Sequence, residues 1–330
     1  MKLLITGGAG FLGARLARTL LARNTLAGQS ITTLVLADLV APPADLAADP
    51  RVQARTGALL EQAAELGNAG FDGVFHLASA VSAECETDFD LGLRSNLDTT
   101  RALLDALRAH TTAGGKPARL VFASSVAVFG SDAALPLPEV VRDNTLPTPQ
   151  SSYGIHKFIC EQLVADYTRK GFIDGRTARL MTVSVRPGRP NGAASSFLSG
   201  IIREPLAGVE SVCPVSADTR VALSSPASTI EGLIAVFEAS REDFGGRTAM
   251  NLPAITVSVQ EMLDALAAEG GSEALARVRF EANPAIAAIV GAWPAQIEAG
   301  RSLKLGLKAD TDFRSIVRQY IADNPQAIKG

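Results

Sequence analysis

The amino-terminal segment constrains the fold of this chain more than any other part of the sequence. Residues 2–6 (Lys-Leu-Leu-Ile-Thr) have the composition of a short buried strand, and they lead directly into Gly7 and Gly10. A helix follows, because Leu16 and Leu20 recur one turn apart on one face. A strand, a glycine-rich turn and a helix start together predict a dinucleotide site, since glycines let the backbone approach a pyrophosphate at the helix amino terminus.

The second predicted strand, residues 32–38, ends in a carboxylate, Asp38. In dinucleotide-binding sheets an acid at this place accepts hydrogen bonds from the adenosine ribose hydroxyls and repels a 2′-phosphate. No Arg or Lys follows before Arg51. The pattern therefore predicts NAD rather than NADP as the cofactor; the alternative is a solvated Asp at a strand end.

Strand and helix patterns alternate through the first half of the chain. Further strands are predicted near Val52 and at residues 73–78, 119–123 and 179–185. This alternation is typical of the α/β class, and it predicts a Rossmann-type, doubly wound parallel sheet with helices on both faces.

The rhythm breaks after residue 187, where prolines and glycines replace strand formers. At 330 residues the chain is long enough for two lobes. We expect residues 1–188, together with about 221–255, to form an NAD-binding Rossmann domain. A smaller, mostly C-terminal substrate-binding lobe would comprise about 189–220 and 256–330.

The most informative chemical pair is Tyr153 and Lys157. Residues four apart on a helix share one face, so the ammonium can lie beside the phenol. A nearby cation favours the phenolate, which makes Tyr153 a candidate general base. Such pairs are also commonplace on helix surfaces, and the upstream glycine motif is what gives this one a cofactor. Ser151 or Ser152 is predicted to cap the helix.

The composition limits the kinds of partner and the cellular location that are expected for this chain. A formal net charge of −3 gives no reason to expect nucleic acid or an anionic membrane surface. The three cysteines have neither metal-ligand spacing nor a disulfide-framework pattern, which indicates a reducing compartment and no metal. The first predicted strand begins at residue 2 and meets glycines at once, so no apolar region of a secretory signal is expected. The most apolar late stretch, 285–293, is too short to cross a bilayer. A cytoplasmic location is expected.

With these motifs placed, the chain resembles the extended short-chain dehydrogenases/reductases, the group that includes NAD-dependent sugar-nucleotide epimerases and dehydratases. The resemblance covers the whole length, and its motifs follow one another in the family's order. They are residues 6–13, Asp38, residues 76–79, Asn96, residues 124–130, Tyr153, Lys157 and residues 186–188.

The resemblance implies three catalytic roles. Ser125 would hydrogen-bond the reacting oxygen, although its neighbour Ser124 is an alternative for that role. Tyr153 would accept the proton. Lys157 would hold the nicotinamide ribose and favour the tyrosinate.

The resemblance also implies a set of cofactor contacts. Asn96 belongs to the set, but a purely structural role, in which it breaks the regularity of its helix, is equally compatible with the pattern. Ala58 stands where many relatives carry an Asp, which loosens the expected adenine contact. The predicted cofactor-binding residues are Gly7, Gly10, Phe11, Leu12, Gly13, Asp38, Leu59, Leu77, Ala78, Asn96, Tyr153, Lys157 and Pro187.

Two arginines are candidates for binding the substrate, together with Ser125 and Tyr153. Arg189 aligns with an Asn that faces the substrate in many epimerases, and a guanidinium there could bind a carboxylate in bidentate fashion. Arg220 aligns with an arginine that binds the substrate pyrophosphate in epimerases. The alternative for each is a salt bridge without a ligand.

Within the group the resemblance is strongest to dehydrogenases of small sugar acids. It implies NAD-dependent oxidation of a C2 hydroxyl, with D-erythronate as the candidate substrate. One rival is a nucleotide-sugar epimerase or dehydratase that keeps NAD bound and returns the hydride. A second is a non-catalytic dinucleotide-binding regulator. The family habit of pairing two long helices per subunit implies a homodimer through residues 89–110 and 152–170.

Overall fold

The computed structural model describes residues 1–188 and 194–329, and the chain divides into two compact units. Each unit is assembled from three separate segments of the chain. One comprises Met1–Val128, Ser151–Arg179 and Ile230–Met250; the other comprises Phe129–Gln150, Leu180–Thr229 and Asn251–Gly330. These units reflect how the chain packs, whereas the predicted domains are defined by the ligands that they would bind. The predicted domain boundaries therefore stay a prediction.

A seven-stranded sheet dominates the fold. Its strands are β1 (Lys2–Thr6), β2 (Thr33–Asp38), β3 (Val52–Thr56), β4 (Gly73–His76), β5 (Arg119–Ser125), β6 (Asp174–Leu180) and β7 (Met250–Asn251). They lie in the order β7-β6-β5-β4-β1-β2-β3, and β1 pairs in parallel with both β2 and β4. The predicted doubly wound parallel sheet is confirmed. The strand order reverses at β1 and β4, and ligands bind at the carboxyl ends beside such a reversal.

The core of the first unit follows from the apolar strands. Leu3, Leu4 and Ile5 are completely buried, as expected for a parallel strand covered on both faces. Helices α1 (Phe11–Arg23), α2 (Leu59–Asn68), α3 (Thr99–Thr112) and α4 (Ser152–Arg169) belong to this unit. The α2–α3 crossing requires a glycine, because a Cβ at Gly67 would lie 2.2 Å from the Cβ of Ala106.

The predicted helix over residues 89–110 is not uniform. It begins as a short α-helix, Phe89–Gly92, continues as a π-helical segment, Leu93–Asp98, and becomes α3 only at Thr99. Asn96 lies in the π-helical segment. Such segments are uncommon and frequently occur at functional sites.

The predicted sixth strand is wrong in its bounds. The sheet strand is Asp174–Leu180, whereas Thr182–Val183 pairs with Arg220–Ser224 in a separate three-stranded sheet. The sequence Asp174-Gly-Arg176 resembles a turn. It enters the sheet because Arg176, which is fully buried, forms an ion pair with Asp174.

The second unit is built from small sheets and amphipathic helices around its own core. Leu198, Ile202, Met262, Leu266 and Val317 are among the buried side chains of that core. The longer helices with residues in this unit are Phe197–Leu206, Pro226–Glu238, Val259–Leu275, Pro284–Gly291 and Phe313–Asp323. Its paired strands are Arg220–Ser224 with Ile255–Ser258, Ser211–Cys213 with Val278–Phe280, and Val140–Arg142 with Gln296–Glu298.

Within residues 1–188 and 194–329, no helix combines the length and the apolar character needed to cross a membrane.

Candidate active site

The glycine turn after β1 forms a cradle that side chains would fill. Gly7 has φ +71°, and a Cβ there would lie 2.9 Å from the backbone nitrogen of Ala78. A Cβ at Gly13 would lie 2.0 Å from the carbonyl oxygen of Gly7. Gly10 caps α1 without a side-chain hydrogen bond, which leaves the helix amino terminus, with Phe11 and Leu12, to a ligand. The geometry fits the pyrophosphate of a dinucleotide.

Asp38 lies against the glycine turn. Its Oδ2 accepts a hydrogen bond of 3.0 Å from the backbone nitrogen of Ala9. The carboxylate at the end of β2 therefore faces the cradle, where an adenosine ribose would lie. Leu59, the first residue of α2, follows the end of the neighbouring strand β3.

Three buried side chains link β1, β4 and α3. The ring of His76 is 1% exposed, and its Nδ1 lies 2.6 Å from Thr6 Oγ1. Its Nε2 lies 2.9 Å from Thr100 Oγ1. Thr6 Oγ1 also accepts hydrogen bonds of 3.2 Å from the backbone nitrogens of Leu77 and Ala78. Burial, together with the charge of Lys157, lowers the pKa of His76 to about 3.

Lys157 brings a buried charge to the tyrosine. It is 3% exposed, and its Nζ donates a hydrogen bond of 2.9 Å to the carbonyl oxygen of Ala123, near the end of β5. The same atom lies 5.6 Å from the ring centroid of Tyr153, which is half-buried, and 4.9 Å from that of Phe122. The ammonium therefore lies within cation–π distance of the Tyr153 ring.

The two serines that end β5 differ in their surroundings. Ser124 is 2% exposed and donates its hydroxyl hydrogen to Glu161 Oε1 at 2.6 Å. Arg179 holds both oxygens of Glu161, at 2.9 and 2.7 Å. Ser125 is half-buried, and its Oγ accepts a hydrogen bond from the backbone nitrogen of Ala127, which uses a lone pair rather than the hydroxyl hydrogen. This difference supports Ser125 as the residue that hydrogen-bonds a substrate oxygen.

Asn96 acts on the loop after β4. Its Oδ1 accepts hydrogen bonds from the backbone nitrogen of Ala80 at 2.7 Å and from Ser79 Oγ at 3.0 Å. Its Nδ2 donates to the Ala80 carbonyl oxygen and to Cys85 Sγ. These contacts support the structural alternative for Asn96, in which it holds the loop that carries Leu77 and Ala78.

Two of the predicted residues, Pro187 and Arg220, belong to the second unit. Pro187 is exposed. Arg220 is exposed at the start of its strand, where it pairs with Ser258 and lies near Glu261. Hydrogen bonds from Ser258, with a smaller contribution from the Arg220 charge, lower the pKa of Glu261. Arg189 lies outside the described residues.

The sequence matches the NAD dependent epimerase/dehydratase family over residues 3–220. The chain belongs to this family. It is 47% identical to a D-erythronate dehydrogenase of Cupriavidus necator, with 98% of each chain covered. It is 42% identical to a D-erythronate dehydrogenase of Haemophilus influenzae, covering 97% of this chain and 99% of the relative.

Solved structures show the same fold. The crystal structure of a nucleoside-diphosphate-sugar epimerase from Agrobacterium tumefaciens matches with a TM-score of 0.93 and 40% identity, covering 99% of this chain and 95% of that one. An L-threonine 3-dehydrogenase from Trypanosoma brucei matches with a TM-score of 0.84 over 99% of this chain and 97% of that one, but at 22% identity it shows the fold alone. The predicted family, Rossmann-type fold and NAD cofactor are confirmed.

The sequence motifs of this epimerase/dehydratase family member do not identify every residue that shapes the site. Thr6, Thr100, Glu161 and Arg179 were not predicted. Glu161 had a signal, because it lies four residues after Lys157 and so shares its helix face. In residues 1–188 and 194–329, no three His, Cys, Asp or Glu side chains cluster as metal ligands.

Proposed function

We propose that this chain is an NAD-dependent dehydrogenase that oxidises the C2 hydroxyl of D-erythronate to 2-dehydro-D-erythronate. The observation that carries the proposal is its similarity, over nearly the whole length, to two enzymes named for that activity. The buried Lys157 near the Tyr153 ring supports the proposal, as does the Ser125 hydroxyl, which accepts a hydrogen bond from Ala127 and keeps its own hydrogen for a substrate oxygen.

Tyr153, Ser125 and Lys157 would each have a separate role in the reaction. The Tyr153 phenolate would remove the proton of the C2 hydroxyl, and the Ser125 hydroxyl would donate a hydrogen bond to the same oxygen as it becomes a carbonyl. Lys157 has three N–H donors, of which one is used by the Ala123 carbonyl. The others remain for the phenolate and the nicotinamide ribose. The chemistry that NAD would supply when bound is a hydride acceptor for the C2 hydrogen and its two electrons, which would give the 2-oxo acid and NADH.

A carboxylate substrate requires a cation, because a buried carboxylate without a partner is strongly disfavoured. Arg189 and Arg220 are the two candidates. Arg220 already lies near the Glu261 carboxylate, so the proposal favours Arg189. Arg189→Ala should raise the KM for D-erythronate by at least about tenfold, and Arg189→Lys should restore only part of this loss because the planar fork is missing.

Steady-state kinetics of Arg189→Ala, Arg189→Lys and Arg220→Ala check this assignment. If Arg220→Ala alone has the large effect, the carboxylate binds there instead. If neither alanine variant changes kcat/KM by more than about threefold, the acid-substrate proposal loses its main support in the sequence.

A nucleoside-diphosphate-sugar epimerase is the second candidate function, because the Agrobacterium tumefaciens structure of that name superposes on this chain with a TM-score of 0.93. The two candidates differ in the fate of the hydride. A dehydrogenase releases NADH in proportion to substrate, whereas an epimerase returns the hydride and keeps its NAD.

Absorbance at 340 nm separates these candidates. The purified chain is incubated with NAD and with four- to six-carbon aldonates, including D-erythronate, and in parallel with UDP-sugars. NADH should accumulate with D-erythronate, and Tyr153→Phe serves as the control for turnover at the described site. Interconversion of a UDP-sugar without net NADH would establish the epimerase instead.

We also propose a homodimer through the helices at residues 89–110 and 152–170, in the cytoplasm. Phe89, Ile155 and Ile159 are 59%, 44% and 38% exposed, and the two isoleucines lie one turn apart on α4. An apolar stripe of this kind is typical of an interface between subunits. The cytoplasmic proposal is supported by the three free, buried cysteines.

Light scattering after size-exclusion chromatography checks the dimer. Ile159→Glu should shift the molar mass from two chains towards one. Ile289→Glu is the matched control, since Ile289 is 48% exposed but belongs to the other unit. A wild-type chain that elutes with the mass of one chain contradicts the proposal.

A further inference from the structure

Thr6 joins the glycine turn to the loop after β4 through both its backbone and its side chain: its carbonyl oxygen accepts a hydrogen bond of 3.1 Å from the Leu77 nitrogen. Thr6 is the last residue of β1, directly before Gly7, and its Oγ1 accepts hydrogen bonds from the backbone nitrogens of Leu77 and Ala78, each at 3.2 Å. Gly7 approaches Ala78 so closely that it has no room for a Cβ. The Thr6 side chain therefore connects two stretches of backbone that the cofactor is expected to contact, and it is the part of Thr6 that holds Ala78.

The hydrogen of the Thr6 hydroxyl has one acceptor among its neighbours. A threonine hydroxyl offers two lone pairs and one hydrogen. Leu77 and Ala78 use both lone pairs, so the hydrogen must point to the third partner, His76 Nδ1, at 2.6 Å. The Thr6 contacts therefore require His76 Nδ1 to be an acceptor.

The other side of the ring imposes the same tautomer. Thr100 Oγ1 donates its hydrogen to the carbonyl oxygen of Asn96, which can only accept. Thr100 must therefore accept a hydrogen bond from His76 Nε2, at 2.9 Å. Both threonines select the neutral ring with its hydrogen on Nε2, and the strongly lowered pKa of His76 keeps that form at neutral pH.

We propose that His76 is a positioning residue for NAD. By accepting the Thr6 hydrogen, it leaves both lone pairs of Thr6 to the backbone of Leu77 and Ala78, and so holds that loop against the glycine turn. The proposal concerns cofactor binding only, so it stands or falls independently of which substrate the enzyme oxidises.

Substitution of His76 by Asn and by Gln tests the two ring nitrogens separately. The oxygen of Asn lies near the place of His Nδ1, so His76→Asn keeps an acceptor for Thr6. The nitrogen of Gln lies near the place of Nε2, so His76→Gln keeps the donor to Thr100 and loses that acceptor. Isothermal titration calorimetry with NAD alone should give a Kd within about threefold of wild type for His76→Asn and about tenfold weaker for His76→Gln. In His76→Gln the Thr6 hydroxyl loses the acceptor of its hydrogen and no longer holds the Ala78 N–H, whereas the Leu77 N–H keeps its bond to the Thr6 carbonyl oxygen.

Substitutions of the threonines provide matched controls. Thr6→Ser, which keeps the hydroxyl, should bind NAD like wild type, whereas Thr6→Val should weaken binding about as much as His76→Gln. The double variant Thr6→Val/His76→Gln should bind NAD about as weakly as either single variant, because both changes remove the same interaction. Thr100→Val should lower the unfolding midpoint but leave the Kd within about threefold. Equal Kd values for Asn and Gln at position 76 would overturn the proposal. If the His76 variants do not fold, equal Kd values for Ser and Val at position 6 would do so.

Discussion

The two ends of the central sheet both carry buried polar side chains, but they use them differently. At the carboxyl ends of β1 and β4, Thr6 and His76 form a neutral network that holds backbone loops. At the amino ends of β5 and β6, Arg119, Asp174 and Arg176 form a charged cluster. The first arrangement holds the loop after β4 against the glycine turn, beside the amino terminus of α1 where a ligand is expected to bind.

In the charged cluster at the amino ends of β5 and β6, the side chains bind other groups of the protein. Asp174 accepts hydrogen bonds from Arg119 and Arg176, at 2.9 and 2.7 Å, and from Arg241. Arg119 and Arg176 donate further to the carbonyl oxygens of Phe237 and Ala239, at the carboxyl end of a helix. Cations are favourable at that end of a helix dipole. This end of the sheet therefore anchors a helix, and we expect variants here to change stability rather than ligand binding.

The largest expected effect tests the carboxyl end. Tyr153→Phe removes only the hydroxyl, so kcat for D-erythronate should fall by about 10²–10⁴-fold while the unfolding midpoint and the Kd for NAD stay near the wild-type values. Stopped-flow absorbance and calorimetry measure these quantities. Activity within about tenfold of wild type would show that another group accepts the proton.

At the amino end, Asp174→Asn should lower the free energy of unfolding by roughly 1–3 kcal/mol, because the buried Arg176 loses its counter-charge. The Kd for NAD should not change. The matched control is Asp166→Asn, which breaks an exposed ion pair with Arg169 and should cost less than about 1 kcal/mol. Urea denaturation at pH 7 measures both variants, and an equal loss in the two would contradict a special role for Asp174.

The contribution of Asp174 to the free energy of unfolding should depend on pH in a definite direction. Burial alone would raise its pKa, but hydrogen bonds from Arg176 and Arg241 outweigh burial and hold the pKa below its usual range. A carboxyl whose pKa is lower in the folded state stabilises the fold above its unfolded pKa of about 3.9 and loses that effect as the pH falls through the folded value. The difference between wild type and Asp174→Asn should therefore narrow below about pH 4.

A smaller effect concerns cofactor choice at the carboxyl end. Wild type should prefer NAD over NADP by at least about tenfold, because the Asp38 carboxylate repels a 2′-phosphate. Asp38→Asn keeps an acceptor for the Ala9 nitrogen and removes the charge, so it should narrow the preference without loosening the turn. Comparable kcat/KM values for the two cofactors in the wild type would mean that Asp38 does not face the adenosine ribose.

Local signals were sufficient for the parts of the molecule that are continuous in sequence. The glycine turn, the carboxylate after β2 and the Tyr153–Lys157 face could all be predicted, because residues within a strand, turn or helix have fixed relative positions. The family resemblance supplied the substrate class, which periodicity and spacing do not contain.

The remaining features depend on contacts between distant residues. Thr6 and His76 are 70 positions apart, and Ser124 and Glu161 are 37 apart, so no local pattern indicates either pair. The bounds of β6 could not be predicted for the same reason, since the burial of Arg176 depends on Ala239 as well as on Asp174. The surroundings that distinguish Ser124 from Ser125 likewise depend on a distant residue, since only the Ser124 hydroxyl donates to Glu161.

The attachment of α4 to β5 has a consequence for how the protein opens. Lys157 and Glu161, one turn apart on α4, bind consecutive residues of the strand, Ala123 and Ser124. The helix cannot slide along the strand without breaking both contacts, which would leave the buried Lys157 ammonium without its carbonyl acceptor. The two elements should therefore open as one cooperative unit, whose amide hydrogens exchange with solvent in a single event. Thermal motion would then carry the reactive phenol and its ammonium together.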